Sequence, residues 1–179
     1  MKPKKLTKQE QQTKDNLQEY KNWLLNLKIL DPACGSGAFL NQALEYLINE
    51  HKNLQNDLAL MGDLFASYMV EEEILEHNLY GVDINEDAVE IAKLSLWLRT
   101  AKRGRPLTKL ADKIICANSL LEMPFSENSF DVVIGNPPYV KEDTNKNAFK
   151  GLKESVYYQG KMDLWYFFGC QALDLIKKN

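Results

Sequence analysis

The chain has 179 residues, 45% of them hydrophobic and 26% charged, which is the composition of an ordinary globular protein with one domain. Its 22 basic and 25 acidic side chains give a net charge of −3, which argues against a simple basic nucleic-acid-binding protein. No apolar stretch reaches the roughly 20 residues of a membrane helix and no apolar signal core follows the basic amino terminus, so we expect a cytoplasmic protein that does not enter a membrane.

Short apolar strands alternate with helical patterns along the chain. Residues 1–27 are expected to form a helical lead that is polar and poorly ordered up to residue 16. Further helical patterns cover residues 39–48, 58–69, 88–98 and 164–176, and strands are predicted at residues 28–30, 79–82, 114–116 and 131–134. This alternation predicts an α/β fold with a parallel sheet of about four strands, in which ligands bind at the carboxyl ends of the strands.

The helix over residues 88–98 has recognisable boundaries. Asn85 is a candidate N-cap, and the acidic side chains of Glu86 and Asp87 complement the positive end of the helix dipole. Gly104 and Pro106 are expected to end the helix.

The loop after the first strand begins at Asp31 and contains Gly35 and Gly37, which can bring the backbone close to a ligand. Phe39 and Leu40 stand where a dinucleotide fingerprint needs small residues, and no P-loop pattern occurs, so nicotinamide and phosphate-cradling sites are disfavoured. A carboxylate at Asp31 suits an ammonium or sulfonium ligand. The alternative is an aspartate that only caps the turn.

Two further polar residues follow strands. Asp83 ends the second strand, where a carboxylate can accept both hydroxyls of a ribose; its alternative role is to bond the start of the helix at Asn85. Asn118 follows the third strand and can bond an adenine edge, or simply form a turn.

The loop after the fourth strand is the most informative segment. It reads Asn136-Pro137-Pro138-Tyr139. The prolines stiffen the loop and remove two donors, so the Asn136 amide oxygen and the Pro137 carbonyl can converge on one amino group. Tyr139 offers a face for a planar substrate. Two acceptors on one exocyclic amine favour a more tetrahedral and more nucleophilic nitrogen. The alternative is a rigid turn with a packing tyrosine.

Four segments in this order, DPACGSGAFL, NLYGVDINEDAVEIAKLSLWL, IICANSL and FDVVIGNPPYV, resemble the first motifs of S-adenosylmethionine-dependent N6-adenine DNA methyltransferases, especially the methyltransferase part of type IIG restriction-modification enzymes. KMDLWYFFGCQALDLIKKN is similar to the helix that follows the NPPY loop in that family. The resemblance implies a partial Rossmann-like class I methyltransferase fold.

By this resemblance, Asp31 would hold the methionine ammonium of S-adenosyl-L-methionine, Asp83 the ribose hydroxyls, and Ile84 the adenine face. Asn118 would recognise the cofactor adenine, although the family often has aspartate there. The remaining implied cofactor-binding residues surround these positions and are Pro32, Ala33, Gly35, Gly37, Phe39 and Ser119. The implied catalytic residues, which would receive the target adenine, are Asn136, Pro137, Pro138 and Tyr139.

The implied reaction is methyl transfer to adenine N6 in double-stranded DNA, with the target base flipped out of the helix. The alternatives are an N-methyltransferase for ribosomal RNA guanine N2 or protein glutamine, and a catalytically silent cofactor-binding fragment. An endonuclease fused to the full-length protein is compatible with the family, but no nuclease motif is found in this chain.

Family members have a seven-stranded sheet, so we interpret residues 28–179 as a partial catalytic domain that lacks the C-terminal strands and the DNA-recognition domain. We expect double-stranded DNA to be a partner of the full-length protein, whether or not the fragment alone is active. Because its fourth strand would be an unpaired edge, we expect self-association or marginal stability.

Other reactive side chains have simpler interpretations. Cys34, Cys116 and Cys170 lack paired CxxC spacing, which predicts neither a disulfide framework nor a metal site. Cys34 is expected to be a small packing residue rather than the nucleophile of cytosine-C5 chemistry, and Trp165 is expected to lie in the core.

Overall fold

A computed structural model of the chain describes residues 6–63, 70–101 and 109–178. Within these residues, four parallel strands form one sheet in the order β3-β2-β1-β4, which confirms the predicted parallel α/β architecture. The strands are Ile29–Asp31 (β1), Leu79–Asp83 (β2), Ile114–Cys116 (β3) and Val132–Val133 (β4). In register, Ile29 of β1 lies between Leu79 of β2 and Val132 of β4, so β1 is central.

In the described part of the chain, five α-helices connect and cover the strands. They are Lys8–Asn26 (α1), Ala38–Leu60 (α2), Val70–His77 (α3), Glu86–Thr100 (α4) and Leu164–Leu175 (α5). Asn85 caps α4 as predicted, because its Oδ1 accepts from the Ala88 N–H at 2.9 Å. Part of the pattern over 58–69 belongs to α2, while residues 64–69 and the predicted helix stop at Gly104 and Pro106 lie outside the described residues.

Alternate strand residues point to opposite faces of the sheet, and each face has its own core. Ile29 and Leu79 pack with apolar side chains of α1 to α4 on one face. Leu30 and Tyr80 pack with Phe130 and with Leu175 of α5 on the other face. The two central strands are therefore buried on both sides, which explains their continuous apolar sequences.

The helical lead begins earlier than its polar sequence indicates. A capping box holds the start of α1: the Glu10 N–H donates to Thr7 Oγ1 at 3.2 Å, and the Thr7 N–H donates to Glu10 Oε2 at 2.7 Å. At the other end, the buried Asn78 side chain donates to the carbonyls of Leu24 and Leu27 at 2.8 and 2.6 Å. The expectation of poor order up to residue 16 is therefore wrong from Lys8 onward.

None of the helices within the described ranges is both long enough and apolar enough to cross a lipid bilayer.

Candidate active site

The carboxyl ends of the parallel strands bring the predicted polar residues to one edge of the sheet. Asp31 is the last residue of β1 and Asp83 the last of β2, while Asn118 follows β3 by two residues and Asn136 follows β4 by three. Because all four strands run in the same direction, the loops after them share this edge.

Hydrogen bonds tie the loop after β1 to the end of β2. The Gly35 N–H donates to Asp83 Oδ2 at 2.8 Å, and the Cys34 N–H donates to the Val82 carbonyl at 2.9 Å. The other carboxylate oxygen of Asp83 accepts from the Asn85 N–H at 2.9 Å, so the helix-start role considered for Asp83 is present. Both oxygens keep a free lone pair that can accept a ligand hydroxyl.

Gly37 serves both the turn and the packing of two helices. Its φ is +84°, a left-handed conformation that favours glycine, and it precedes the first residue of α2. A Cβ at Gly37 would lie 3.0 Å from the Cβ of Ala92 in α4. The glycine thus lets the start of α2 approach α4 closely.

Asp31 is buried, with 1% of its surface exposed, and its Oδ1 accepts from the Ala33 N–H at 3.1 Å. Burial raises the pKa of Asp31 from 3.8 to about 6, the Ala33 hydrogen bond lowers it, and the nearby Asp83 carboxylate raises it. A cation beside Asp31 would stabilise the ionised carboxylate and offset this burial.

Burial also raises the pKa of the Cys34 thiol to about 12, with the carboxylates of Asp31 and Asp83 adding to the effect. The side chain is a neutral thiol near neutral pH, and it packs in the core beside β2. Cys34 therefore has the environment of a packing residue and not that of an activated nucleophile.

The loop after β4 lies directly against the carboxylate of Asp31. A Cβ built on Gly135 would be only 2.6 Å from Asp31 Oδ1. Asp31, Gly135 and Pro137 line one cavity of about 180 Å³, which Trp165 and Phe168 of α5 also border. Trp165 is 38% exposed, so the expectation that it lies in the core is wrong.

A second, larger cavity of about 410 Å³ lies beside the first. Both cavities are bordered by Pro32, Ala33 and Phe168. The predicted residues that line the larger cavity come from three strand ends and the loop after β4, and they are Pro32, Ala33, Asp83, Ile84, Asn118, Ser119 and Pro138.

Three other predicted residues do not line either cavity. Asn136 is exposed and Tyr139 is 71% exposed, so both face solvent beside the prolines that line the cavities. Phe39 is a partly exposed residue in the first turn of α2. The Asn118 side chain forms a local turn, since its Oδ1 accepts from the Leu120 N–H at 3.2 Å, and its amide nitrogen is left for a ligand.

A short series of hydrogen bonds joins α5 to the loop after β1. Gln171 of α5 donates through Nε2 to the Ser119 carbonyl, and Ser119 Oγ donates to the Pro32 carbonyl at 2.7 Å. Gln171 was not predicted as a site residue, although a polar residue in a mostly apolar helix was an available signal.

The segment between Tyr139 and α5, residues 140–163, was also not predicted as part of the site, and we call it the 140–163 loop. It contains two short 3-10 helices, Lys146–Phe149 and Leu152–Glu154. It provides one wall of the larger cavity, through Asn147, Ala148, Lys150 and Leu152.

Comparison with solved structures supports the fold. The chain superimposes on the type IIL restriction-modification enzyme MmeI, solved in complex with DNA, with a TM-score of 0.64 and 19% identity, over 89% of this chain and 24% of that one. The four-stranded sheet with its flanking helices is therefore part of a class I methyltransferase fold.

Sequence comparison identifies the family. DNA methyltransferase A of Bacillus subtilis is 30% identical over an alignment of 170 positions, which covers 81% of this chain and 19% of that protein. The type II restriction enzyme and methyltransferase RM.Eco57I of Escherichia coli is 27% identical over an alignment of 193 positions, which covers 87% of this chain and 19% of that protein. The chain thus spans about a fifth of the length of these relatives. Residues 77–179 match the sequence model of the Eco57I restriction-modification methylases, and the chain belongs to this family.

Proposed function

We propose that this chain is the part of a DNA methyltransferase that binds S-adenosyl-L-methionine and presents its methyl group to N6 of a flipped-out adenine. The observation that carries the proposal is the contact between the two loops: the backbone at Gly135 lies against the Asp31 carboxylate, immediately before Asn136. A donor held at Asp31 and an acceptor held at Asn136 are then neighbours. The names of the relatives above, a DNA methyltransferase and a restriction enzyme with a methyltransferase, support methylation of DNA.

The two adjoining cavities fit the two ends of the proposed donor. The smaller one contains the buried Asp31 carboxylate, which a methionine ammonium would neutralise. The larger one, at about 410 Å³, is within the size range of small-ligand pockets and is bordered by Asp83, Ile84 and Asn118. In it, Asp83 would accept the ribose hydroxyls, Ile84 would contact the adenine ring, and the free amide nitrogen of Asn118 would donate to a ring nitrogen.

On the acceptor side, the exposure of Asn136 and Tyr139 leaves both side chains open to a base that arrives from solvent. The Asn136 amide oxygen and the Pro137 carbonyl would accept the two N–H bonds of the adenine amino group. Tyr139 would stack on the base. A base within the duplex cannot reach this loop, so the target must leave the stack.

S-adenosylmethionine supplies a methyl group on a positively charged sulfur, which leaves as the neutral thioether S-adenosylhomocysteine. The acceptor hydrogen bonds raise the nucleophilicity of the adenine nitrogen, and the proton is lost after the attack from an acidic ammonium. The chain therefore needs no general acid and no thiolate. The neutral, buried Cys34 agrees with this and disfavours cytosine-C5 chemistry.

The variant Asn136→Ala tests the acceptor role. It should abolish methyl transfer while the affinity for S-adenosylhomocysteine, measured by calorimetry, stays within twofold of the parent. Loss of one such group commonly costs about 2.7 to 4 kcal/mol of transition-state stabilisation. Asn26→Ala is a matched control, because Asn26 is an exposed asparagine at the end of α1.

Labelled methyl transfer is measured with double-stranded DNA, ribosomal RNA and a glutamine-containing protein as acceptors. Transfer to DNA adenine supports the proposal, whereas transfer only to RNA or protein would assign the chain to another class of N-methyltransferase. Binding of S-adenosylhomocysteine without transfer to any acceptor would identify a silent fragment. Turnover of Asn136→Ala within tenfold of the parent would refute the role of Asn136.

A further inference from the structure

The 140–163 loop is closed at its base by backbone pairing. Lys141 and Asp163 form an antiparallel bridge, the Glu142 N–H donates to the Met162 carbonyl at 3.0 Å, and the Leu164 N–H donates to the Val140 carbonyl at 2.8 Å. The two ends of the loop therefore lie side by side, one next to Tyr139 and the other at the start of α5.

The middle of the loop packs on the rest of the site. Phe149 and Leu152 are buried against Phe167 of α5. Gly151 has a φ of +89°, and a Cβ there would lie 3.1 Å from Leu121 Cδ2, so the loop backbone rests on the turn after β3. This packing sets the position of the cavity wall formed by residues 147–152.

The carboxylate of Glu142 connects the base of the loop to two residues in its second half, Lys153 and Tyr158. Glu142 is only 7% exposed, and its two oxygens accept from the Tyr158 hydroxyl at 2.8 and 3.0 Å. Its Oε1 also lies 3.0 Å from Lys153 Nζ. The Tyr158 hydroxyl and the Lys153 ammonium hold the pKa of Glu142 below its ordinary value, so the carboxylate is ionised near neutral pH.

We infer that Glu142 is a positioning residue for the methyl donor: by holding Lys153 and Tyr158 against the base of the loop, its carboxylate fixes the wall of the larger cavity. Glu142 does not line that cavity and acts through the loop that does. The inference rests on the proposed function, because the ligand concerned is the donor.

Isothermal titration calorimetry with two ligands tests this inference on the full 179-residue chain. S-adenosylhomocysteine reaches both cavities, whereas 5′-methylthioadenosine has no amino-acid end and occupies only the larger one. Glu142→Ala should weaken both ligands by at least tenfold. Glu142→Gln should recover most of the affinity, because the amide oxygen still accepts from Tyr158. Asp31→Asn should weaken only S-adenosylhomocysteine, which separates a loop effect from a general loss of the site.

Tyr158→Phe provides a gentler variant, since it removes one hydroxyl and no charge; we expect both ligands to weaken by at least threefold. Glu154→Ala, an exposed glutamate in the same loop, is the matched control and should bind like the parent. If the parent binds both ligands and neither Glu142→Ala nor Tyr158→Phe weakens them beyond twofold, this inference alone is overturned. If the parent binds neither ligand, the proposed function fails and the inference fails with it.

Discussion

Replacing Gly135 by alanine should break the contact that joins the donor and acceptor loops. The added Cβ would lie 2.6 Å from Asp31 Oδ1, about 0.8 Å short of the 3.4 Å at which ordinary contact begins. The carboxylate cannot yield freely, because it is buried and its Oδ1 already accepts from the Ala33 N–H. Overpacking of this kind costs about 1 to 3 kcal/mol.

If that cost falls on the position of the carboxylate, donor affinity drops by about five- to 140-fold, since 1.4 kcal/mol corresponds to a factor of ten. The assay is calorimetric titration with S-adenosylhomocysteine, together with urea denaturation. Gly62→Ala is the control: Gly62 has a φ of +84° with no neighbour within 4 Å, at the far end of the 23-residue α2.

The control variant should lose about 1 to 2 kcal/mol of unfolding free energy from backbone strain and keep its donor affinity. Loss of affinity in Gly135→Ala alone then reports the local displacement of Asp31. Parental affinity in Gly135→Ala would refute the reasoning, because it would mean that the Asp31 carboxylate is not held where the ligand needs it.

Two further predictions concern titratable side chains. Asp31 has a pKa of about 6 in the folded chain, whereas its ordinary value is 3.8. Ionisation of Asp31 therefore destabilises the folded chain, and the stability that the protonated carboxyl group provides is lost as the pH rises through this interval. Asp31→Asn should therefore raise the unfolding free energy at pH 8 by up to about 3 kcal/mol, and by much less at pH 4, in urea titrations; an equal effect at both would contradict this. Iodoacetamide at pH 8 should alkylate the exposed Cys116 and spare the buried Cys34, whose pKa is raised to about 12, as read by peptide mass mapping. Equal labelling of the two thiols would show that the Cys34 site opens in solution.

The strands and their terminal polar residues could be predicted from the sequence because the signals are local. Each strand is a short apolar run, and Asp31 and Asp83 stand at the ends of two of them. Because the strands are parallel, their carboxyl ends lie at the same edge of the sheet. Asn85 was also predictable, since a cap depends only on residues within one turn.

The 140–163 loop could not be predicted because its structure depends on distant partners. Glu142 meets Tyr158, sixteen residues later, and no periodic pattern marks such a contact. Trp165 illustrates a second limit: its apolar ring predicts burial, yet the residue stands on the face of α5 that borders the small cavity. The capping box at Thr7 was a local signal that the polar composition of the segment obscured.

The hydrogen bonds from Gln171 to Ser119 and from Ser119 to Pro32 link the position of α5 to the position of the loop after β1. A ligand that holds Pro32 in this position also favours the position of α5 seen here. By thermodynamic reciprocity, α5 in this position then increases the affinity for that ligand. Two such bonds contribute roughly 1 kcal/mol each, which limits this coupling to about a thirtyfold change in affinity.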